Sequence, residues 1–396
     1  MEAADNSRAS GEQLAIKRGI ITSLRSGVAP SRGTALIEVG LSDFWDSLYQ
    51  DFIELTQGTP RGAIVYVMGE YGRGKTFLCN YSREKAWSLW SKGFATSYVE
   101  VRGFETLADY LEIYRQIVRN IQTPNDEQKG LEPILVKFAS RFQSRDDLNK
   151  EIDRLGLDPD FAQKLRYFYG FWNRDDKAAL SVLLRWMAGE PGIKADLLNL
   201  IAEKGFAKLD QNDVDAYLTG MKQVVKSLGY EGLFVFIDEA EDRTRGFEET
   251  VVREILRNIK KLHNAVNQDD RFAQTIFLLA GTNELWSQQA VLDEAQRQRM
   301  QIKRNLPVLH REHLVELGRK VIQVYDTALS TNLGSRIDPV VLERWVDGII
   351  DKFGPVSLIT PRDFLSRHPS PERSFMRLLD ELRRQPDRSA SDIFTL

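Results

Sequence analysis

One stretch restricts this chain more than any other. Gly69-Glu70-Tyr71-Gly72-Arg73-Gly74-Lys75-Thr76 fits the phosphate-binding loop pattern GxxxxGK[ST] and follows the apolar run from Ala63 to Met68. The spacing has a chemical reason. Glycines let the backbone curl until successive N–H groups point at phosphate oxygens, and a helix starting near Lys75 adds its positive N-terminal dipole. Lys75 is expected to reach the β- and γ-phosphates and Thr76 to offer its hydroxyl to a magnesium ion. The expected nucleotide-binding set is Gly69, Glu70, Tyr71, Gly72, Arg73, Gly74, Lys75, Thr76 and Phe77, the last opening a helix-compatible run. In a chain of this length the pattern arises by chance about once in a hundred cases. A Gly-rich turn without a ligand is the competing reading, and the strand before the loop and the helix after it disfavour that.

A second chemical stretch is Leu233-Phe234-Val235-Phe236-Ile237-Asp238-Glu239, an apolar strand ending in two carboxylates. Being apolar on both faces, it belongs at the centre of a covered parallel sheet, whose ligands sit at the carboxyl ends of the strands. Asp238 is expected to hold magnesium, mainly through water, and Glu239 to polarise the attacking water. A helix cap is the alternative, although caps rarely follow so apolar a strand. Thr275 to Asn283 is another buried strand with a polar end. There Thr282 or, preferentially, Asn283 could bond the γ-phosphate or the attacking water, against simple turn formation by Gly281 and Asn283. Arg297, Arg299 and Arg304 precede a short strand expected over Asn305 to Leu309. Arg299 is the preferred candidate for a finger reaching a neighbouring subunit's nucleotide, worth about a thousandfold in rate. A solvated basic face is the alternative. Arg362, in the first turn of a helix after Thr360-Pro361, could lean over the γ-phosphate as a second sensor or make a surface ion pair.

Length and composition permit this without adding to it. The 396 residues, 42% of them hydrophobic, suit two or three domains. A net charge of -3 offers no overall attraction to nucleic acid or to anionic membrane. The single cysteine, Cys79, excludes an internal disulfide and suits a reducing cytosol, with packing its expected role. Met1 to Asp5 does not read as a secretory start, and no apolar run is long enough to span a bilayer. His310 and His313 are expected to be surface residues, since nothing nearby completes a metal site.

The expected partition is a disordered tail over 1–10, the first part of an α/β core over 11–104, an all-helical insertion over 105–228, the second core part over 229–309, and a small helical lid with tail over 310–396. A helix over about Ser42 to Gln57 is expected within the first part. The insertion follows from arithmetic: a parallel crossover needs only one helix, and this stretch holds several.

Phosphate loop, Asp-Glu strand, sensor strand, arginines and helical lid, in that order, resemble an AAA+ ATPase. More narrowly the chain looks like the BREX-type ATP-binding P-loop family of bacterial phage-defence systems. The stretches that carry this are Ser26-Gly27-Val28-Ala29-Pro30-Ser31-Arg32-Gly33, the loop itself, Leu184-Arg185-Trp186-Met187-Ala188-Gly189-Glu190, and Thr360-Pro361-Arg362. The resemblance implies an AAA+ parallel sheet with a helical insertion and lid, ATP and Mg2+ as cofactors, a cytoplasmic homo-oligomer, and other defence proteins as partners. It is also similar to replication-initiator and helicase-loader ATPases. Arg73 departs from the family, which more often carries a small residue before Gly74. The stretch after Arg384 is too short for a winged-helix domain, so DNA is expected to be met through the complex.

Three functions compete. An ATP-hydrolysing oligomeric switch or motor is favoured by Lys75, Asp238 and Glu239 occurring together. A nucleotide-gated scaffold would have no need of Glu239, and an initiator or loader would need a DNA-reading module that the sequence does not display.

Overall fold

Strands form where the apolar runs are unbroken. β1 (Ala63–Met68), β4 (Leu233–Asp238) and β5 (Thr275–Gly281) are buried along their whole length, and β2 (Ala95–Glu100) over most of it. A computed structural model describes residues 2–101, 107–124, 126–193, 209–240, 249–282, 303–353, 360–366 and 374–394. With β3 (Ile121–Gln122) and β6 (Lys303–Asn305) these strands make one sheet in the order β3-β2-β4-β5-β1-β6. β2, β4 and β5 are parallel, with Tyr98 opposite Phe236 and Ile237 opposite Leu279. This is the α/β class with a parallel sheet that the strand patterns imply. The chain divides into two compact units, one of residues 50–66 and 85–303, the other of 1–49, 67–84 and 304–396. The linear partition had not grouped the two ends of the chain.

The first unit carries the parallel strands and most of the expected insertion. Its helices are α4 (Tyr110–Asn120), α5 (Leu131–Ala139), α6 (Arg145–Leu155), α7 (Pro159–Asn173), α8 (Lys177–Met187), α9 (Val214–Ser227) and α10 (Glu249–Gln268). Local chemistry starts them: Asp109, Ser144, Asp158 and Asp176 each accept a backbone N–H of the first turn. Tyr217 is the hub of the packing, with ring centroids 5.1 Å from Phe161, 6.0 Å from Tyr114 and 6.1 Å from Trp186. The ammonium of Lys164 lies 4.3 Å from the Trp186 ring centre, so a buried cation is met by a π face and by Asp160. The stretch expected to be helical throughout is interrupted by β3, which pairs antiparallel with β2. Two residues cannot display a period of two, and Pro124 stops the strand at once.

In the second unit, α1 (Glu2–Arg25) packs with the C-terminal helices α11 (Arg311–Leu329), α12 (Leu333–Arg336), α13 (Pro339–Phe353), α14 (Pro361–Leu365), α15 (Phe375–Arg384) and α16 (Ala390–Ile393). Ile20, Ile21 and Leu24 join Val321, Tyr325, Trp345 and Leu379 in one apolar core. Trp345 stands 5.2 Å from Phe364 and from Phe375 and 5.7 Å from Phe394. α1 begins at Glu2, inside the stretch expected as a tail. The helix expected over 42–57 is α2 only from Ser42 to Leu48; its turns then widen over Tyr49–Ile53 and tighten over Glu54–Thr56. β6 lies at Lys303–Asn305 rather than at 305–309, since Pro307 has no N–H to give a ladder. Pro361 to Arg384 is two helices, α14 and α15, with 367–373 outside the described residues. Among the described residues no helix is long and apolar enough to cross a membrane.

Lys222 on α9 is only 2% exposed, and its ammonium donates to the Arg271 carbonyl at 2.7 Å. Burial, followed by the nearby charge of Lys226, pulls its pKa down to about 8. The folded chain therefore sheds this proton before the unfolded chain does. From about 8 up to the ordinary lysine value of 10.5 the unfolded state holds more protons, so this group makes stability rise with pH. Lys222→Met should remove up to about 3 kcal/mol of that rise. Chemical denaturation of both proteins across the window checks it.

Candidate nucleotide-binding site

The loop after β1 is shaped by two residues that only glycine occupies comfortably: Gly72 has φ 82° and Gly74 φ 98°. α3 (Lys75–Ala86) starts directly after them. Lys75 is buried, and its ammonium folds back across the loop to donate to the carbonyls of Gly69 at 2.8 Å and Glu70 at 3.3 Å. Arg73 N–H closes a turn onto the Glu70 carbonyl, and Leu78 N–H bonds Gly74 at 2.8 Å. Thr76 stands in the first turn of the helix, and Phe77 packs on the core of the second unit. A positive-φ glycine turn, a helix N-terminus of twelve residues and an ammonium lying across them fit a polyphosphate chain. Cys79, two residues on from Phe77, is fully buried, as its expected packing role requires.

Two stretches far apart in sequence meet around this loop. Gly27, at φ 68°, lies against Arg362 and Ser366: a Cβ there would stand 3.7 Å from the arginine Nε and 3.4 Å from the serine Cβ. The Pro30 carbonyl accepts from Asn80 Nδ2 at 3.1 Å and the Ser31 carbonyl from Arg83 at 2.6 Å. Glu84, also on α3, accepts from the N–H groups of Gly33 and Thr34 and from the Thr34 hydroxyl. From the C-terminal side, Thr360 and Asp363 cap α14 reciprocally: the Asp363 N–H bonds the Thr360 hydroxyl and the Thr360 N–H the Asp363 carboxylate, both at 3.1 Å. Arg362 then donates to the Tyr71 hydroxyl at 2.8 Å, with its guanidinium carbon 5.3 Å from that ring's centre. So the segments 26–33, 69–76 and 360–362 form one site within the second unit.

The first unit presents the carboxylates at the end of β4. Asp238 is completely buried; one oxygen accepts from the Tyr98 hydroxyl at 2.8 Å and the other from the Glu239 N–H at 3.0 Å. Glu239 itself adopts φ 55°, the left-handed region, which costs an ordinary residue about 1 kcal/mol or more. It turns the chain off the strand, and Ala240 N–H rejoins the Ala280 carbonyl of β5 at 3.1 Å. Tyr98 was not among the expected site residues; a tyrosine on a strand gives no hint of a partner 140 residues away. At the end of β5, the Thr282 hydroxyl is buried and has no hydrogen-bond partner among the described residues. Asn283, Arg297 and Arg299 lie outside the described residues, whereas Arg304 is in β6.

The stretch Leu184 to Glu190 is not with the others. It closes α8 onto α4: Tyr114 donates to the Met187 carbonyl at 2.7 Å, Arg115 to that of Gly189, and Glu190 takes Arg185 at 2.9 Å and Arg119 at 3.2 Å. The hydrogen bond from Arg185, ahead of Arg119, holds the Glu190 carboxyl below its ordinary range. These hydrogen bonds and ion pairs hold α8 to α4.

Gly72→Ala tests the shape of the loop. A Cβ there would lie 2.9 Å from the Thr360 hydroxyl on a backbone already at positive φ. The variant should stay folded by circular dichroism while nucleotide affinity falls tenfold or more, about 1.4 kcal/mol, in equilibrium titration.

Among solved structures, the chain is similar to the Aeropyrum pernix ORC2 protein. Against that protein's ADPNP-ADP complexes the identity is 11% and the TM-score 0.47, over 90% of this chain and 66% of that one. Against its ADP form they are 11% and 0.46, over 92% and 71%. The chain thus spans a little under two thirds of the length of the first. No curated protein sequence matches. The profile of the BREX system ATP-binding protein BrxC/D matches residues 13–396, and with the glycine-turned loop and its converging segments in place, the chain belongs to that family of ATP-binding proteins.

Proposed function

We propose that this chain is an ATP-hydrolysing AAA+ protein that works as an oligomeric switch or motor within a bacterial antiphage defence complex. The observation that carries this is Lys75 lying across a glycine-turned loop at the start of α3, in a member of an ATP-binding family. In this reading Lys75 neutralises the β- and γ-phosphates, and Thr76 and Asp238 would hold Mg2+, which screens the phosphate charge. Glu239 orients and deprotonates the attacking water, and the buried, doubly hydrogen-bonded Asp238 beside it keeps that end of the strand rigid. Asn283 acts as first sensor, Arg362 as second, and Arg299 as a finger given to the neighbouring subunit. The insertion over 105–228 meets a partner protein, the helices after residue 310 serve as the lid, DNA is engaged through the complex, and the setting is the cytoplasm.

Steady-state ATP hydrolysis across a range of protein concentrations, with and without duplex DNA, tests the reading. Turnover should rise faster than protein concentration. Glu239→Gln should still bind ATP but hydrolyse it about a hundredfold or more slowly, and Lys75→Ala should lose binding. ATP binding with hydrolysis no faster than Glu239→Gln would instead favour a nucleotide-gated scaffold.

If Arg299 acts in trans, mixing Arg299→Ala chains with Lys75→Ala chains should restore part of the activity. No recovery in confirmed mixed assemblies would remove the finger from the mechanism.

A further inference from the structure

Tyr71 occupies a variable position of the phosphate loop and is 62% exposed, high for a large aromatic residue. It is nevertheless engaged. Its hydroxyl accepts from Arg362 and its ring lies beside the guanidinium, so one side chain offers the arginine both a neutral acceptor and a π face. Arg362 is also close to Gly27, where a Cβ would stand 3.7 Å from its Nε, in ordinary van der Waals contact. That Nε is buried and has no hydrogen-bond partner among the described residues. The arginine is thus held at the loop while part of its donor capacity stays unspent.

We propose that Tyr71 is the residue that parks Arg362 at the phosphate loop, and that the terminal phosphate of a nucleoside triphosphate competes with the phenol for the guanidinium. The inference rests on Arg362 being a phosphate reader, as proposed above. A phenol oxygen is a single neutral acceptor; a terminal phosphate is anionic and presents several oxygens to the planar fork of a guanidinium, so an ion pair with parallel bonds replaces one bond to a neutral oxygen. Phosphate therefore outcompetes phenol for Arg362. Breaking the parked contact lowers the apparent affinity of any ligand that needs Arg362, because only the released fraction is competent. A diphosphate too short to reach the arginine leaves the contact alone. Tyr71 accordingly biases the loop between nucleotide states without touching the reacting bond.

The test is a cycle of Tyr71 and Arg362 variants, titrated with the non-hydrolysable imido analogue of ATP and, separately, with ADP. Tyr71→Phe keeps the ring and loses the acceptor; Tyr71→Leu loses both. Affinity for the triphosphate analogue should tighten about threefold in the first and about tenfold in the second, and by more than ADP affinity changes in either. In an Arg362→Ala background that selective gain should vanish, since there is nothing to release. Triphosphate affinity that is unchanged or weaker in Tyr71→Leu would overturn the proposal, as would the same tightening without Arg362. If Arg362→Ala alone alters neither triphosphate affinity nor turnover, the phosphate-reader assignment fails, and the parking proposal with it. The exposure of Tyr71 makes misfolding of its variants a poor explanation for any of these outcomes.

Discussion

The second unit depends on how one carboxylate fastens a loop to a helix. Glu84 on α3 takes two backbone N–H groups and a hydroxyl from Gly33 and Thr34, and Arg83 and Asn80, from the same face of the helix, take the carbonyls of Ser31 and Pro30. Bonds to an ionised acceptor are each worth about 1.5–3 kcal/mol net, well above a neutral pair. In the loop after α1 Pro30 is buried but Val28 is left 47% exposed, so this polar clasp does much to settle its path. Gly27 is thereby delivered to Arg362 and the motif before the sheet is coupled to the motif in the last third of the chain. Without it, the phosphate loop would keep its glycine turn but lose the segment that brings Gly27 to Arg362.

A comparable economy governs the end of β4. A buried carboxylate costs several kcal/mol unless donors meet it. Asp238 meets one donor from the neighbouring strand, Tyr98, and one from the backbone of the next residue. The left-handed conformation of Glu239 acts beyond that N–H: it redirects the chain after the strand, so a fixed carboxylate is followed by an acid turned off the strand. Residues held in sparsely populated conformations are often found where chemistry needs a fixed direction.

The helical part of the first unit is held by polar as well as aromatic contacts. Leu184 to Glu190 ties α8 to α4 through the carbonyls of Met187 and Gly189 and the ion pairs of Glu190. Trp186 faces Lys164, and Tyr217 joins the helices through aromatic edges.

By itself the sequence determined whatever local physics governs. Glycines at 72 and 74 specify a positive-φ turn, an unbroken apolar run specifies a fully covered strand over 233–238, and Thr360-Pro361 specifies a helix start, each within a few residues of itself. It could not show β3, too short to carry a period, nor the irregular turns after Leu48, where apolar spacing still looked helical. Tertiary structure alone decided that α1 shares a core with helices from the other end of the chain, that Tyr98 serves Asp238, and that Gly27, Tyr71 and Arg362 meet. Such meetings follow from which buried faces fit one another, and hydrophobic pattern records that a face is buried without recording its partner.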